Sequence, residues 1–298
     1  MLGPTRGGSS LQCRICDSSG LRVALEMRHE GREYTVVRCS ACGTLQALEH
    51  YESVSPDYAH LSSESIDRDR LWCQGEHKRP AFAQWLEQAR QLLGGDPNGK
   101  NVLDVGCGTG GFLEFARANG FDVYGFDASA AQAAFARERF NTVRHAASAL
   151  EYLGKLERGE LRFDLITLWD VIEHLRDPIP FVEGLSQALT PDGLLFVSTP
   201  NATAMLWKSW VNKAFHRGAD FGWAPWEHVF YYSRHSLVMV QARAGLVAIL
   251  DGAVACYPRR LSAFEAGRRF GFSVLRFVPW LAPQIFSWAR PSLLRENL

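Results

Sequence analysis

The sequence predicts an α/β fold: a seven-stranded, mostly parallel sheet with helices on both faces, preceded by a small module held together by metal. From Asn101 onward, short apolar runs that read as strands alternate with amphipathic runs that read as helices, the pattern of a parallel sheet with helical crossovers. The first unit, NVLDVGCGTGG followed by FLEFARANG, is a strand, a glycine turn and a helix. Ahead of it, four of the 7 cysteines fall in two C-x-x-C pairs, Cys13/Cys16 and Cys39/Cys42.

At 298 residues the chain can bury one sizeable core and carry an accessory module. Lys+Arg and Asp+Glu both number 32, so no global charge draws it to nucleic acid or to an anionic membrane. The opening MLGPTRGGSS lacks an apolar h-region, so a cytoplasmic location is expected. No uninterrupted apolar run approaches the roughly 18 residues of a membrane span.

In chain order, residues 1–10 read as a flexible tail and 11–50 as a zinc ribbon. Each C-x-x-C turns two thiolates toward one point, and two such knuckles close a tetrahedral site. A single pair would also suit redox chemistry, but two pairs in a reducing compartment favour structural zinc. A module of this size buries too little to fold well alone, so metal binding should supply much of its stability. The intervening LRVALEMRH and REYTVVRC are strand-like.

Residues 51–98 read as a linker and covering helices, interrupted near Pro80, with Phe82, Trp85, Leu86, Leu92 and Leu93 as an apolar stripe. The main domain occupies 99–258. Its strands are VLDVG, DVYGFD, TVRHA, FDLITLWD and, in TPDGLLFVSTP, the run that follows a Pro-Asp-Gly turn; LVAIL and AVACY form a closing hairpin. Ser129 and Ser233 cap two of the helices, and Gly245 ends the second. An insertion at 201–232 carries Trp207, Trp210, Trp223 and Trp226 at the carboxyl edge of the sheet, where it can form a substrate lid or pack onto the core. Residues 259–298 read as an apolar tail that touches a membrane surface or packs on its own domain or a partner subunit.

The spacing G-x-G-x-G with Asp104 just before it, the acidic strand end at Asp127 and the later strands resemble the class I S-adenosylmethionine (SAM) methyltransferases over residues 99 to 257. The resemblance implies a Rossmann-like class I fold and SAM as cofactor. Asp104, Gly106, Cys107, Gly108 and Gly110 would surround the methionine part, with Cys107 a small residue that fits the turn. Asp127 would take the ribose hydroxyls, Ala128 and Ala147 would floor the adenine, and Asp170 would stand beside the methyl group.

Methyl transfer from a sulfonium needs aligned reactants and, for a hydroxyl or acidic carbon, removal of a proton. Two segments offer a base. Asp170, Glu173 and His174 resemble the E-x-x-E-H stretch of quinone O-methyltransferases, which implies a possible second divalent metal on these three residues; Asp170 replaces the first Glu with a shorter ligand. Trp226-Glu227-His228 resembles the E-H pair of ribbon-bearing sugar C-methyltransferases, implying His228 as base and Glu227 as its orienting carboxylate, with Tyr58 matching an N-terminal active-site tyrosine. Those sugar enzymes continue into a further C-terminal domain, so their specificity is not expected to transfer. A neutral imidazole, with an unperturbed pKa of about 6.5, can accept a proton near neutrality. The expected partner is a small-molecule acceptor: a sugar, polyketide or quinone-like compound methylated on oxygen or carbon. The competing readings are an RNA methyltransferase that holds RNA with its ribbon, and a SAM-binding interaction protein without catalysis.

Overall fold

The computed structural model of the chain describes residues 11–51, 79–146, 151–152, 154, 161–214, 223–254 and 284–292. Strands β1 (Leu21–His29) and β2 (Arg32–Cys39) form an antiparallel hairpin. Its two-residue turn, Glu30-Gly31, has φ of +48° and +81°, the handedness that matches the twist of the flanking strands. Strand β3 (Leu45–Ala47) pairs with β2 and leads into a 3-10 turn, Leu48–Tyr51.

Helix α1 (Arg79–Leu92) precedes the main sheet. There follow β4 (Asn101–Val105), α2 (Gly111–Ala118), β5 (Asp122–Asp127), α3 (Ala130–Arg137), β6 (Val143–His145) and β7 (Phe163–Trp169). Next are α4 (Pro178–Ala188), β8 (Leu189–Pro200), α5 (Ala202–Ala214), β9 (Phe230–Tyr231), α6 (Arg234–Arg243), β10 (Leu246–Val254) and β11 (Gln284–Pro291). The large sheet runs β10-β11-β8-β7-β4-β5-β6, and β11 is antiparallel to both its neighbours while β8, β7, β4, β5 and β6 pair in parallel.

Strand alternation divides the core. Val102, Leu165, Leu194 and Phe196 face α1, α2 and α3, whereas Leu103, Ile166, Leu195 and Val197 face α4 and α6. The caps fall where serine chemistry puts them: Ser129 Oγ accepts from Gln132 N, and Ser233 and Ser236 form a reciprocal capping box. On α1 the expected stripe is buried through Phe82, Trp85 and Leu86, with Trp85 against Phe196 and Phe286. Among the described residues no helix is long and apolar enough to cross a membrane.

Three expectations are corrected. LVAIL and AVACY do not form a hairpin with each other. LVAIL and the first two residues of AVACY, Ala253 and Val254, belong to one strand, β10, and its partner β11 comes from the segment read as an apolar tail. Ile285 and Trp288 are fully buried in that strand, so the apolar run there is a strand buried on both faces. The Pro-Asp-Gly stretch at 191–193 is no separate turn, because β8 begins at Leu189 and passes through it with a register shift against β7. The ribbon, finally, is not self-contained: its sheet runs β1-β2-β3-β9, with the fourth strand supplied from residues 230–231. Residues 1–10, most of the 51–78 linker and most of the tail beyond 259 lie outside the described residues, as do Cys73 and Cys256.

Candidate active site

The glycine turn leaves β4 at the carboxyl edge of the sheet. Gly106 N and Cys107 N both donate to Phe126 O, at 2.7 and 2.9 Å, and Gly110 N donates to Cys107 O. Asp127 closes the turn from the next strand: Oδ2 accepts Gly108 N at 2.8 Å and Oδ1 accepts Ser129 N at 2.7 Å. The turn amides of Gly106, Cys107, Gly108 and Gly110 are therefore all engaged within the protein. Asp127 is 7% exposed at the strand end, and a carboxylate oxygen can accept more than one hydrogen bond, so a residue of this type suits both holding the turn and accepting a ribose hydroxyl. Asp104 lies in the sheet interior, where Thr167 Oγ1, its register partner on β7, donates to it at 2.7 Å. Cys107 is buried among apolar neighbours, and Ala128 sits half-buried between Asp127 and Ser129. Ala147 and Tyr58 lie outside the described residues.

Gly106 has φ +69°, and a Cβ there would meet Val171 Cγ2 at 2.6 Å. The contact ties the glycine turn to the segment after β7. Gly106→Ala combines a left-handed residue, costing about 1–2 kcal/mol, with displacement of Val171. The expected result is a Tm lower by about 2–8 °C and weakened SAM binding, measured by thermal unfolding and calorimetry, with Gly154→Ala, which meets nothing within 4 Å, as the neutral control.

After β7 the chain turns through Asp170, which is non-glycine at φ +54°, into the 3-10 turn Ile172–His174. Asp170 is anchored by Gln284, whose Nε2 donates to Oδ1 at 2.9 Å, and its own N–H donates to Ser198 O. Glu173 is 1% exposed and accepts Thr199 Oγ1 at 2.9 Å. His174 Nδ1 lies 3.0 Å from Glu227 O; a carbonyl only accepts, so Nδ1 donates, and in the neutral ring the lone pair is then on Nε2.

The same contact brings the two candidate segments together. The rings of His174 and His228 meet edge to face with centroids 4.8 Å apart. Donor atoms of Glu173, His174 and His228 lie within 4.8 Å of one another, a set with the composition of a divalent-cation site. Asp170, expected to share a metal with Glu173 and His174, stands outside that group because β11 holds it, and His228 takes its place. Glu227 enters through its backbone carbonyl while its side chain is exposed. Tyr231 packs against His228 at 5.4 Å, and burial pushes its phenol and that of Tyr232 above the ordinary range, so both are neutral and neither is a base.

The four ribbon cysteines gather as two knuckles. Sulfur separations are 3.6 Å for Cys13–Cys42 and 3.5 Å for Cys16–Cys39. A zinc with four thiolates at about 2.3 Å requires about 3.8 Å between sulfurs, so the cluster fits the ion. The Cys42 thiol is pulled down to about 4, chiefly by the Cys13 hydrogen bond, and the same contact pushes Cys13 up.

The insertion is not simply a lid. The apolar side of α5, Ala202 and Met205, packs on Val36 and Leu45 of the ribbon with Trp223 and Tyr231. Trp226 stacks on His29, while Trp207 and Trp210 are exposed at 39% and 68%. Sequence reasoning missed Thr167, Thr199 and Gln284; the only local signal was a polar residue in a strand otherwise buried on both faces.

Residues 76–250 match the profile of a family described as a methyltransferase domain. Among curated relatives, the ubiquinone biosynthesis O-methyltransferase of Bordetella avium is 31% identical over 160 residues, 50% of this chain and 64% of the relative. That of Pasteurella multocida is 36% identical over 120 residues, 37% of this chain and 50% of the relative. The chain thus spans between half and 64% of the length of these relatives. Among solved structures, magnesium protoporphyrin IX methyltransferase from Synechocystis PCC 6803 with bound SAH aligns with TM-score 0.51 at 15% identity, covering 78% of this chain and 97% of that one. A SAM-dependent methyltransferase from Archaeoglobus fulgidus aligns at 0.51 and 18%, covering 75% and 98%. At these identities the structures speak for the fold.

Proposed function

The chain belongs to the methyltransferase-domain family and is a SAM-dependent methyltransferase, and from that premise we propose that it methylates an oxygen or acidic carbon of a small molecule, with His174 and His228 as the base. The observation that carries this reading is the meeting of the two histidines over buried Glu173, joined to the glycine turn through Val171. Bound SAM supplies an electrophilic methyl group with a good leaving group. Asp127 accepts the ribose hydroxyls, and the turn from Gly106 to Gly110 lets the methionine part approach the backbone. His174 Nε2, or the imidazole of His228 beside it, takes the acceptor proton, and Glu173 stabilises the imidazolium that results. The curated relatives act in ubiquinone biosynthesis as O-methyltransferases, so catechol-like and quinol oxygens are the first acceptors to try, followed by sugars and polyketides. The test is turnover of SAM across that panel by the purified chain. Absence of transfer to every class, with SAM still bound, would leave a binding protein.

The three donor groups can serve instead as ligands of a divalent ion, which would occupy the nitrogens a base requires. Titration of magnesium or manganese into protein that retains its ribbon metal separates the two uses: the base reading expects turnover without added ion. The ribbon itself is expected to hold a single zinc ion per chain by elemental analysis, lost in Cys39→Ser, because three thiolates leave the tetrahedral shell incomplete.

A further inference from the structure

The ribbon and the histidine-bearing edge share one residue, Val229. Ala47 N, on ribbon strand β3, donates to Val229 O at 3.0 Å, and Val229 N donates to Glu173 O at 2.9 Å. Leu45 and Gln46 pair with Tyr231 and Phe230, and Ser233 Oγ donates to the carbonyl of Cys42, a knuckle residue. At the far end of the hairpin, His29 stacks flat on Trp226, with centroids 3.6 Å apart and planes 11° from parallel, and Tyr34 meets the same indole edge-on. The segment Trp226–Val229 is therefore gripped at Trp226 by the β1–β2 hairpin, at Val229 by β3, and at Glu227 and Val229 by the turn carrying Glu173 and His174.

We propose that the zinc ribbon positions the methyl-accepting edge, with His29 as a positioning residue that acts through Trp226 on His228. The proposal rests on the reading of His174 and His228 as base, and it makes the ribbon part of the site's frame rather than a separate binding module. Loss of the knuckles frees β3, and loss of β3 leaves Val229 O without its donor and Phe230 and Tyr231 without their strand partners. The glycine turn is held to β5 by backbone hydrogen bonds and by Asp127, and its Val171 contact comes from the β7 side rather than from the ribbon, so loss of the ribbon is expected to leave SAM binding in place.

Two arms test it. In hydrogen exchange, stripping zinc from the full chain is expected to speed exchange of peptides covering 223–232 by about tenfold or more, with peptides covering 102–112 unchanged and SAM affinity retained; unchanged protection at 223–232 overturns the proposal. In the second arm the metal stays bound. His29→Ala is expected to lower kcat, or to raise the acceptor KM, by about 3- to 10-fold, the size of one aromatic stack, with SAM affinity and zinc content as in wild type. His29→Phe should restore the loss. Equal defects in the alanine and phenylalanine variants, or a matching loss of SAM affinity, overturn the role of His29. If stripped protein unfolds throughout, this second arm decides. Exchange needs no substrate, so coupled exchange together with normal turnover in both His174→Ala and His228→Ala would fell the base reading alone.

Discussion

His228→Ala is expected to lower kcat by about 10²- to 10⁴-fold while leaving SAM affinity within about threefold of wild type, the range of a lost general base. His174→Ala should fall in the same range, because the rings touch and His174 also anchors the loop that carries His228 through Glu227 O. Since the pair acts as a unit, the double variant should be little worse than either single one, so the two penalties will not add. Single-turnover kinetics at saturating SAM isolates the chemical step. Turnover within twofold of wild type in both single variants would remove the pair from catalysis.

Asp127→Ala is expected to weaken SAM binding by about 10²-fold or more, since charge-assisted hydrogen bonds are worth about 1.5–3 kcal/mol each and up to two to the ribose would be lost. The structure adds a second consequence. Removing the carboxylate also strips Gly108 N and Ser129 N of their acceptor, so the turn itself loosens and the apo protein should melt earlier. Asp127→Asn separates these effects, because its one carbonyl oxygen can serve a single amide. Calorimetric SAM titration alongside thermal unfolding of the unliganded variants reads both. An alanine variant that binds SAM normally would exclude Asp127 from the cofactor site.

Much of the main fold was legible because its signals are local. Val102, Leu103 and Val105 form a short apolar run before positive-φ glycines, and a run of that kind can hardly be anything but a buried strand entering a tight turn. Ser129 and Ser233 cap helices because a short hydroxyl reaches the amides of its own first turn. The tail was misread for the opposite reason. QIFSWARP looks like any short apolar run, and nothing adjacent in the chain says that it inserts between β8 and β10. Asp170 seemed to belong with Glu173 and His174 because all three are close in sequence, yet Gln284, 114 positions away, decides where it points.

By itself the sequence determined the glycine turn, the acidic strand end at Asp127 and the two cysteine knuckles, since each depends on steric and hydrogen-bonding demands among residues close along the chain. Tertiary structure alone decided that His174 and His228 share one site, that Glu173 is buried beneath them, and that the ribbon borrows β9 from the methyltransferase domain. Those outcomes depend on which exposed strand edge and which apolar face find each other once the sheet is assembled. Local periodicity carries no record of the partner, because an alternating or apolar run describes the face a strand offers and not the one it meets.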